Sequence, residues 1–374
     1  MAILLNPGPV SLSERVRKAL LRPDICHREA EFSELQTAIR HKLLRVYGLD
    51  ERTWSAVLLT GSGTAAVEAM LTSLIPADGR VLILANGVYG ERMAKMAAVH
   101  GIDHTLLKQD WGGTIDLDAA GEIIAGGNIS HVAMVHLETT TGRLNDLDGV
   151  ARLARDGGCR LLIDGVSSFG AEAIEFGNDG IDACAATANK CLHGVPGISF
   201  VIVRRTALAA GHARTVYLDL AGYAAEQDRR GTPFTPSVQC CYALDEALDE
   251  FAEEGGWEER RRRYRSRMQI VRDGLTGLGI APLLEDGASS CVLNAFRLPT
   301  GMTYAALHDG LKEAGFVIYA GQGGFAEAMF RIAVMGEIPA KELERLISAT
   351  AALLPRPLSM GSANRNSFSR QARD

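Results

Sequence analysis

Ala185-Ala186-Thr187-Ala188-Asn189-Lys190-Cys191-Leu192-His193-Gly194-Val195-Pro196-Gly197 is the stretch from which the chain is best read. Lys190 is the only lysine between Lys108 and Lys312 in a sequence that otherwise draws its positive charge mainly from arginine. An apolar, partly desolvated setting favours the neutral amine of a lysine, which can form a Schiff base with an aldehyde; arginine stays protonated and cannot. Lys190 is therefore a candidate anchor for pyridoxal phosphate. Asp164 ends the apolar run Leu161-Leu162-Ile163, which puts a carboxylate at the carboxyl end of a strand. It is read either as a cap of the following turn or as the partner of a pyridinium nitrogen. The spacing from Asp164 to Lys190 leaves room for one intervening strand, so that the two side chains meet opposite ends of one ring.

Outward from this pair, short apolar runs alternate with helix-patterned segments. Ser55 to Leu59, Arg80 to Leu84, Ser130 to His136, Arg160 to Ile163 and Ile198 to Val203 read as buried strands, and Ala65 to Leu74, Glu91 to His100 and Asp148 to Asp156 as covering helices. Such alternation predicts an α/β domain with a mostly parallel sheet, whose ligands gather at the carboxyl ends of the strands. From Val238 a helix-forming stretch, continuous through Ala243 to Leu275, leads to strands around Val292 to Phe296 and Gly315 to Tyr319. We expect a large domain over 15–245, a smaller C-terminal α/β domain over 246–354 joined by residues 1–14, and a mobile, Ser-, Asn- and Arg-rich tail over 355–374.

The 374 residues suffice for a substantial core. A formal charge of -6 speaks against a nucleic-acid surface, and the Arg260 to Arg263 run, offset by Glu253, Glu254, Glu258 and Glu259, reads as the solvated face of a helix. Seven cysteines show neither metal-ligand spacing nor a disulfide framework, and no apolar run reaches membrane-spanning length. A cytoplasmic protein with no metal, no membrane and no nucleic-acid partner is expected.

Four further groups bear on chemistry. Gly61-Ser62-Gly63-Thr64 follows a strand and opens a helix, which offers free N–H groups to a phosphate or else a plain strand-to-helix turn. Tyr89, in Asn86-Gly87-Val88-Tyr89-Gly90-Glu91-Arg92, is placed to lie on a planar ring or in the core. His136-Leu137-Glu138-Thr139-Thr140-Thr141-Gly142 is a polar cluster at a strand end, fit to hydrogen-bond a ring hydroxyl or to form a turn. Arg331, in Phe330-Arg331-Ile332-Ala333, suits bidentate capture of a carboxylate or phosphonate, or buries its stem with its head in water.

Together with Asn6-Pro7-Gly8-Pro9, these motifs resemble the class V aminotransferases, over residues 4 to about 353. The resemblance implies the fold type I architecture of pyridoxal-phosphate-dependent transferases and pyridoxal 5'-phosphate as cofactor. It makes Lys190 the Schiff-base lysine, Asp164 the pyridinium partner and Tyr89 the ring-stacking residue. Ser62, Gly63, Thr64 and Asn189 would hold the phosphate, Thr139 would face the ring hydroxyl, and Arg331 would grip the carboxylate of pyruvate or alanine. Thr235 would reach the phosphate of a neighbouring subunit, implying a homodimer with shared sites. The implied activity is transfer of the amino group of 2-aminoethylphosphonate to pyruvate, with alanine or serine:glyoxylate transfer as the alternative and a non-catalytic binding protein as a remote one. Cysteine desulfuration fits less well, since no loop presenting a reactive cysteine is evident. Tyr319-Ala320-Gly321-Gln322 stands where many relatives have Tyr-Pro-Gly-Lys, and Thr232-Pro233-Phe234-Thr235-Pro236 where they have Trp-Arg-Phe-Thr-Ser-Pro. Arg28 and Arg92 are candidates to supply the charge the lysine would have brought to the substrate.

Overall fold

A computed structural model describes residues 2–177 and 179–354. The tail expected over 355–374 lies outside the described residues. A seven-stranded sheet runs in the order Trp54–Gly61, Gly197–Arg204, Ile181–Thr187, Arg160–Asp164, His131–Val135, Arg80–Ala85, Asp103–Lys108. All neighbours pair in parallel except Gly197–Arg204, which is antiparallel to both strands beside it. Each expected strand of the large domain is found, shifted by a residue or two at its ends.

The sheet is covered on both sides, as a parallel sheet with helical crossovers must be. Period-2 alternation divides each strand between two cores. Leu58, Leu82, Met134, Ile163 and Phe200 face one cluster, and Leu59, Ile83, Val135, Leu162 and Val201 face the other. Every one of these is at most 5% exposed, so each contributes about 1.5–3 kcal/mol of apolar burial. The edge strand Asp103–Lys108 is instead polar and partly exposed, which discourages further pairing. A third cluster joins Leu5, Tyr264, Phe296, Leu311, Phe330 and Leu346 around the three-stranded antiparallel sheet made by Leu293–Arg297, Met329–Ala333 and Tyr319–Ala320.

Three expectations are corrected here. The continuous helix expected through Ala243 to Leu275 is two helices, Val238–Glu253 and Gly256–Gly277, separated where Gly255 and Gly256 take φ of 103° and 79°. Those left-handed angles favour glycine and break the intrahelical ladder. The strand expected over Gly315 to Tyr319 is also divided. Phe316–Val317 pairs in parallel with Ile3–Leu4, and Tyr319–Ala320 pairs with Met329–Ala333. The arginine run is not a solvated face. Arg260 is 1% exposed, donating to the Cys191 carbonyl and to Glu254, and Arg261 pairs with the buried Glu172. Only Arg262, paired with Glu259, fits the expectation of a solvated face, because this helix of 22 residues buries Tyr264, Met268 and Val271 in the third cluster and so has an inner side that four consecutive residues cannot avoid.

Candidate active site

The carboxyl ends of four parallel strands meet at one end of the sheet. There Trp54–Gly61 runs into the helix Gly63–Leu74, Arg80–Ala85 into Val88–Val99, His131–Val135 into the polar turn, and Arg160–Asp164 into Gly165. Asp164 is flanked in register by Val135 and Ala185. Lys190 follows three residues after the end of Ile181–Thr187.

Thr64, Tyr89, Arg92, Asp164 and Val166 line one small cavity, and Gly63 packs so closely on it that a Cβ there would meet Val166 at 2.7 Å. An aromatic face, a branched aliphatic side chain, a carboxylate and the start of a helix thus share a slot. Asp164 accepts from the Val166 N–H at 3.0 Å, and burial raises its pKa to about 6 against the opposing pull of that bond, Lys190 and Arg92. Burial lowers the Lys190 pKa to about 8, helped by Arg331 and opposed by Cys191 and Asp164. Its Nζ donates to the Pro7 carbonyl. Gly8, at φ 113°, has no space for a side chain, since a Cβ would lie 2.9 Å from Lys190 Cδ.

Lys42 shows the contrast. It lies in a larger groove lined also by Tyr47, Leu248, Phe251 and Trp257, where burial lowers its pKa but Asp245 and Asp249, at 2.6 and 2.7 Å, outweigh it and hold the ammonium charged. The larger groove therefore holds its lysine in the charged form, whereas burial moves Lys190 toward the neutral amine that imine chemistry needs.

Arg331 is 3% exposed and held by two backbone carbonyls, Ala320 O at 2.9 Å and Thr139 O at 2.8 Å. This ties it to the turn that carries Thr139. Asn189 accepts from Thr187 Oγ1 at 2.8 Å beside the lysine. Arg92 lies over the Tyr89 ring at 4.7 Å, donates to Thr64 at 3.3 Å and lines the same cavity as both. Arg28 is exposed in the turn ahead of Ala30–Arg45, and Thr235 is exposed on the loop between Leu220–Asp228 and Val238–Glu253. Neither lines the cavity that Tyr89 and Asp164 share. Sequence reasoning missed the Pro7 carbonyl, Val166 and the carboxylate of Glu138. The fully buried Glu138 sits against Gly87, where an added Cβ would come within 2.3 Å of its carboxyl carbon. The glycine just before a helix start was the available signal.

The 2-aminoethylphosphonate–pyruvate transaminase of Aeromonas hydrophila is 41% identical over 361 residues, covering 93% of this chain and 94% of that protein. The corresponding transaminase of Burkholderia thailandensis is 39% identical, covering 94% and 96%. Among solved structures, alanine–glyoxylate aminotransferase from Nostoc superposes with a TM-score of 0.88 at 26% identity, covering 95% of each chain. An aspartate aminotransferase of subgroup IV from Thermus thermophilus superposes with a TM-score of 0.86 at 28% identity, covering 94% and 98%. Residues 15–340 match the aminotransferase class V family, and the chain is a member of it.

Proposed function

We propose that this enzyme moves the amino group of 2-aminoethylphosphonate to pyruvate, giving phosphonoacetaldehyde and L-alanine. Membership of the class V aminotransferases implies pyridoxal 5'-phosphate as its cofactor. The residues fit that group. Ser62 caps Gly63–Leu74 without a side-chain bond of its own, the N–H groups of Gly63 and Thr64 precede the first intrahelical bonds, and the slot has an aromatic wall and a carboxylate. Gly63, Thr64 and Ser62 would hold the phosphate, with Asn189 beside them; Tyr89 and Val166 would enclose the ring, Asp164 would meet its nitrogen, and Thr139 its hydroxyl. When bound, the cofactor supplies an aldehyde that accepts the amino group and a ring that withdraws electrons from the substrate carbon.

Lys190 is the acid–base group. Burial brings the Nζ pKa down to about 8, so that its neutral form is far more accessible than that of a free lysine; in that form it removes a proton from the substrate carbon and later returns one. Pro7 O holds Nζ by accepting its hydrogen bond, and Gly8 leaves the methylene stem space to swing. Arg331, with its guanidinium orientation set by Ala320 O and Thr139 O, takes the keto acid's carboxylate, and its buried position makes that bond charge-assisted in a medium of low polarity. Arg28 and Arg92 are the candidates for the phosphonate end. Large and small units over 15–245 and over 1–14 with 246–354, a homodimer in which Thr235 serves the neighbouring site, and a cytoplasmic location complete the reading.

The observation that carries this reading is the half-buried Lys190 and the buried Asp164 at adjacent strand ends, together with relatives of about this length that bear the same activity in their names. The test is to incubate the purified protein with pyruvate and, in turn, 2-aminoethylphosphonate, serine and other amines, and to measure alanine. Alanine from the phosphonate supports the proposal. Alanine from serine but not from the phosphonate transfers it to the alanine or serine:glyoxylate reading, and no alanine from any amine overturns it.

A further inference from the structure

We infer that Glu138 is a positioning residue whose one carboxylate sets both Tyr89 and Arg331. The helix Val88–Val99 begins without a cap of its own, because its N-cap residue is Gly87. Glu138, from the short strand Leu137–Glu138, supplies the cap from outside. Its Oε2 accepts the Tyr89 and Gly90 N–H groups at 3.2 and 3.3 Å. Thr140 Oγ1 accepts the Val88 N–H at 3.0 Å and donates in turn to Glu138 Oε1 at 2.6 Å. Three N–H groups of the helix start are therefore held by one carboxylate and the hydroxyl bonded to it, which is how the ring of Tyr89 is aimed.

The same carboxylate reaches Arg331 through a single peptide group. Glu138 Oε1 accepts the Thr140 N–H at 3.1 Å, and the carbonyl of that peptide, Thr139 O, accepts Arg331 Nη1 at 2.8 Å. The plane is held by an anion at its hydrogen and by a cation at its oxygen, an arrangement in which each bond polarises the other. Four donors converge on a carboxyl group with no exposure to water, so the anion is hydrogen-bonded on both oxygens although burial raises its pKa to about 6. Gly87 leaves the space, since any larger residue would collide with the Glu138 carboxyl carbon.

This inference rests on the assignment of Tyr89 to the cofactor and Arg331 to the keto acid, and its test separates the two. In the full-length protein, Glu138→Gln keeps the size but replaces one acceptor oxygen with an NH2 that faces N–H donors. We expect cofactor binding to the cofactor-free protein, followed by fluorescence, and the KM for pyruvate each to weaken by ~10-fold. Thr140→Val, which removes the hydroxyl relay, should change the same two quantities by a smaller factor and serves if the glutamine variant does not fold. Asp116→Ala removes the cap of the remote helix Leu117–Ala125 and should lower the melting temperature while leaving both quantities unchanged. Variants at 138 and 140 that melt earlier but keep wild-type cofactor affinity and pyruvate KM overturn the inference, and the functional reading survives. An unchanged pyruvate KM in Arg331→Lys removes instead the assignment on which the inference rests.

Discussion

Replacing Lys190 with methionine in the cofactor-free protein tests whether burial, rather than sequence position alone, makes this amine reactive. Burial lowers the Lys190 pKa from 10.5 to about 8. At 1.36 kcal/mol per unit this is a penalty of about 3 kcal/mol on the folded, charged lysine. Below about pH 8 both folded and unfolded chains hold the proton, so the whole penalty is present. Between about pH 8 and about 10.5 the unfolded chain binds more protons than the folded one, so wild-type stability rises with pH, and above that window the penalty is gone. Methionine has nearly the same volume and no charge, but it forfeits the bond to Pro7 O, about 1 kcal/mol. The variant should therefore be more stable than wild type by about 2 kcal/mol at neutral pH, and less stable by about 1 kcal/mol once the wild-type lysine is neutral. Urea unfolding of both proteins, at steps from neutral to about pH 10.5, measures the difference while cancelling the titration of all other groups. A stability gap that does not move with pH across the window would refute the reasoning.

Three other outcomes are expected. Asp164→Asn should keep its hydrogen bond to the Val166 N–H but lower kcat by on the order of 100-fold, measured as alanine production under saturating substrates. Arg331→Lys should raise the KM for pyruvate by ~10-fold or more with a smaller change in kcat, because an ammonium cannot hold Thr139 O, Ala320 O and a carboxylate with the planar geometry of a guanidinium. Tyr47→Phe should cost about 1–3 kcal/mol in unfolding experiments without changing either KM, since it leaves Glu172 O and the Gly170 N–H, now paired with the Tyr47 hydroxyl at 2.7 and 3.0 Å, buried without a partner.

The alternation of apolar runs with amphipathic ones made the sheet legible, because a strand buried on both faces tolerates only short apolar residues and its crossover helix only one apolar stripe. Asp164 and Lys190 were legible for a related reason: each is a lone ionisable group at the end of such a run. Glu138 was hidden because its carboxylate acts across two segments, on N–H groups some fifty positions earlier in the chain. Arg260 to Arg263 were misread because local charge balance with neighbouring glutamates resembles a solvated helix. Burial of Arg260 depends on the carbonyl of Cys191, a partner that spacing does not show. The break at Gly255-Gly256 was visible as two adjacent glycines, yet helical propensity on both sides masked it.

The connection bearing Lys190 is a hairpin between two antiparallel neighbours, whereas Thr64 and Tyr89 lie at the starts of crossover helices. Ala188 N–H bonds Ile198 O and Gly194 N–H bonds Ala188 O, so both feet of the arch are pinned within a few residues of the lysine. Hinge motion of neighbouring units would displace such a support little. Whatever travel the terminal nitrogen undergoes during a catalytic cycle must come from rotation about its own carbon–carbon bonds, along the alley that a glycine at position 8 keeps clear.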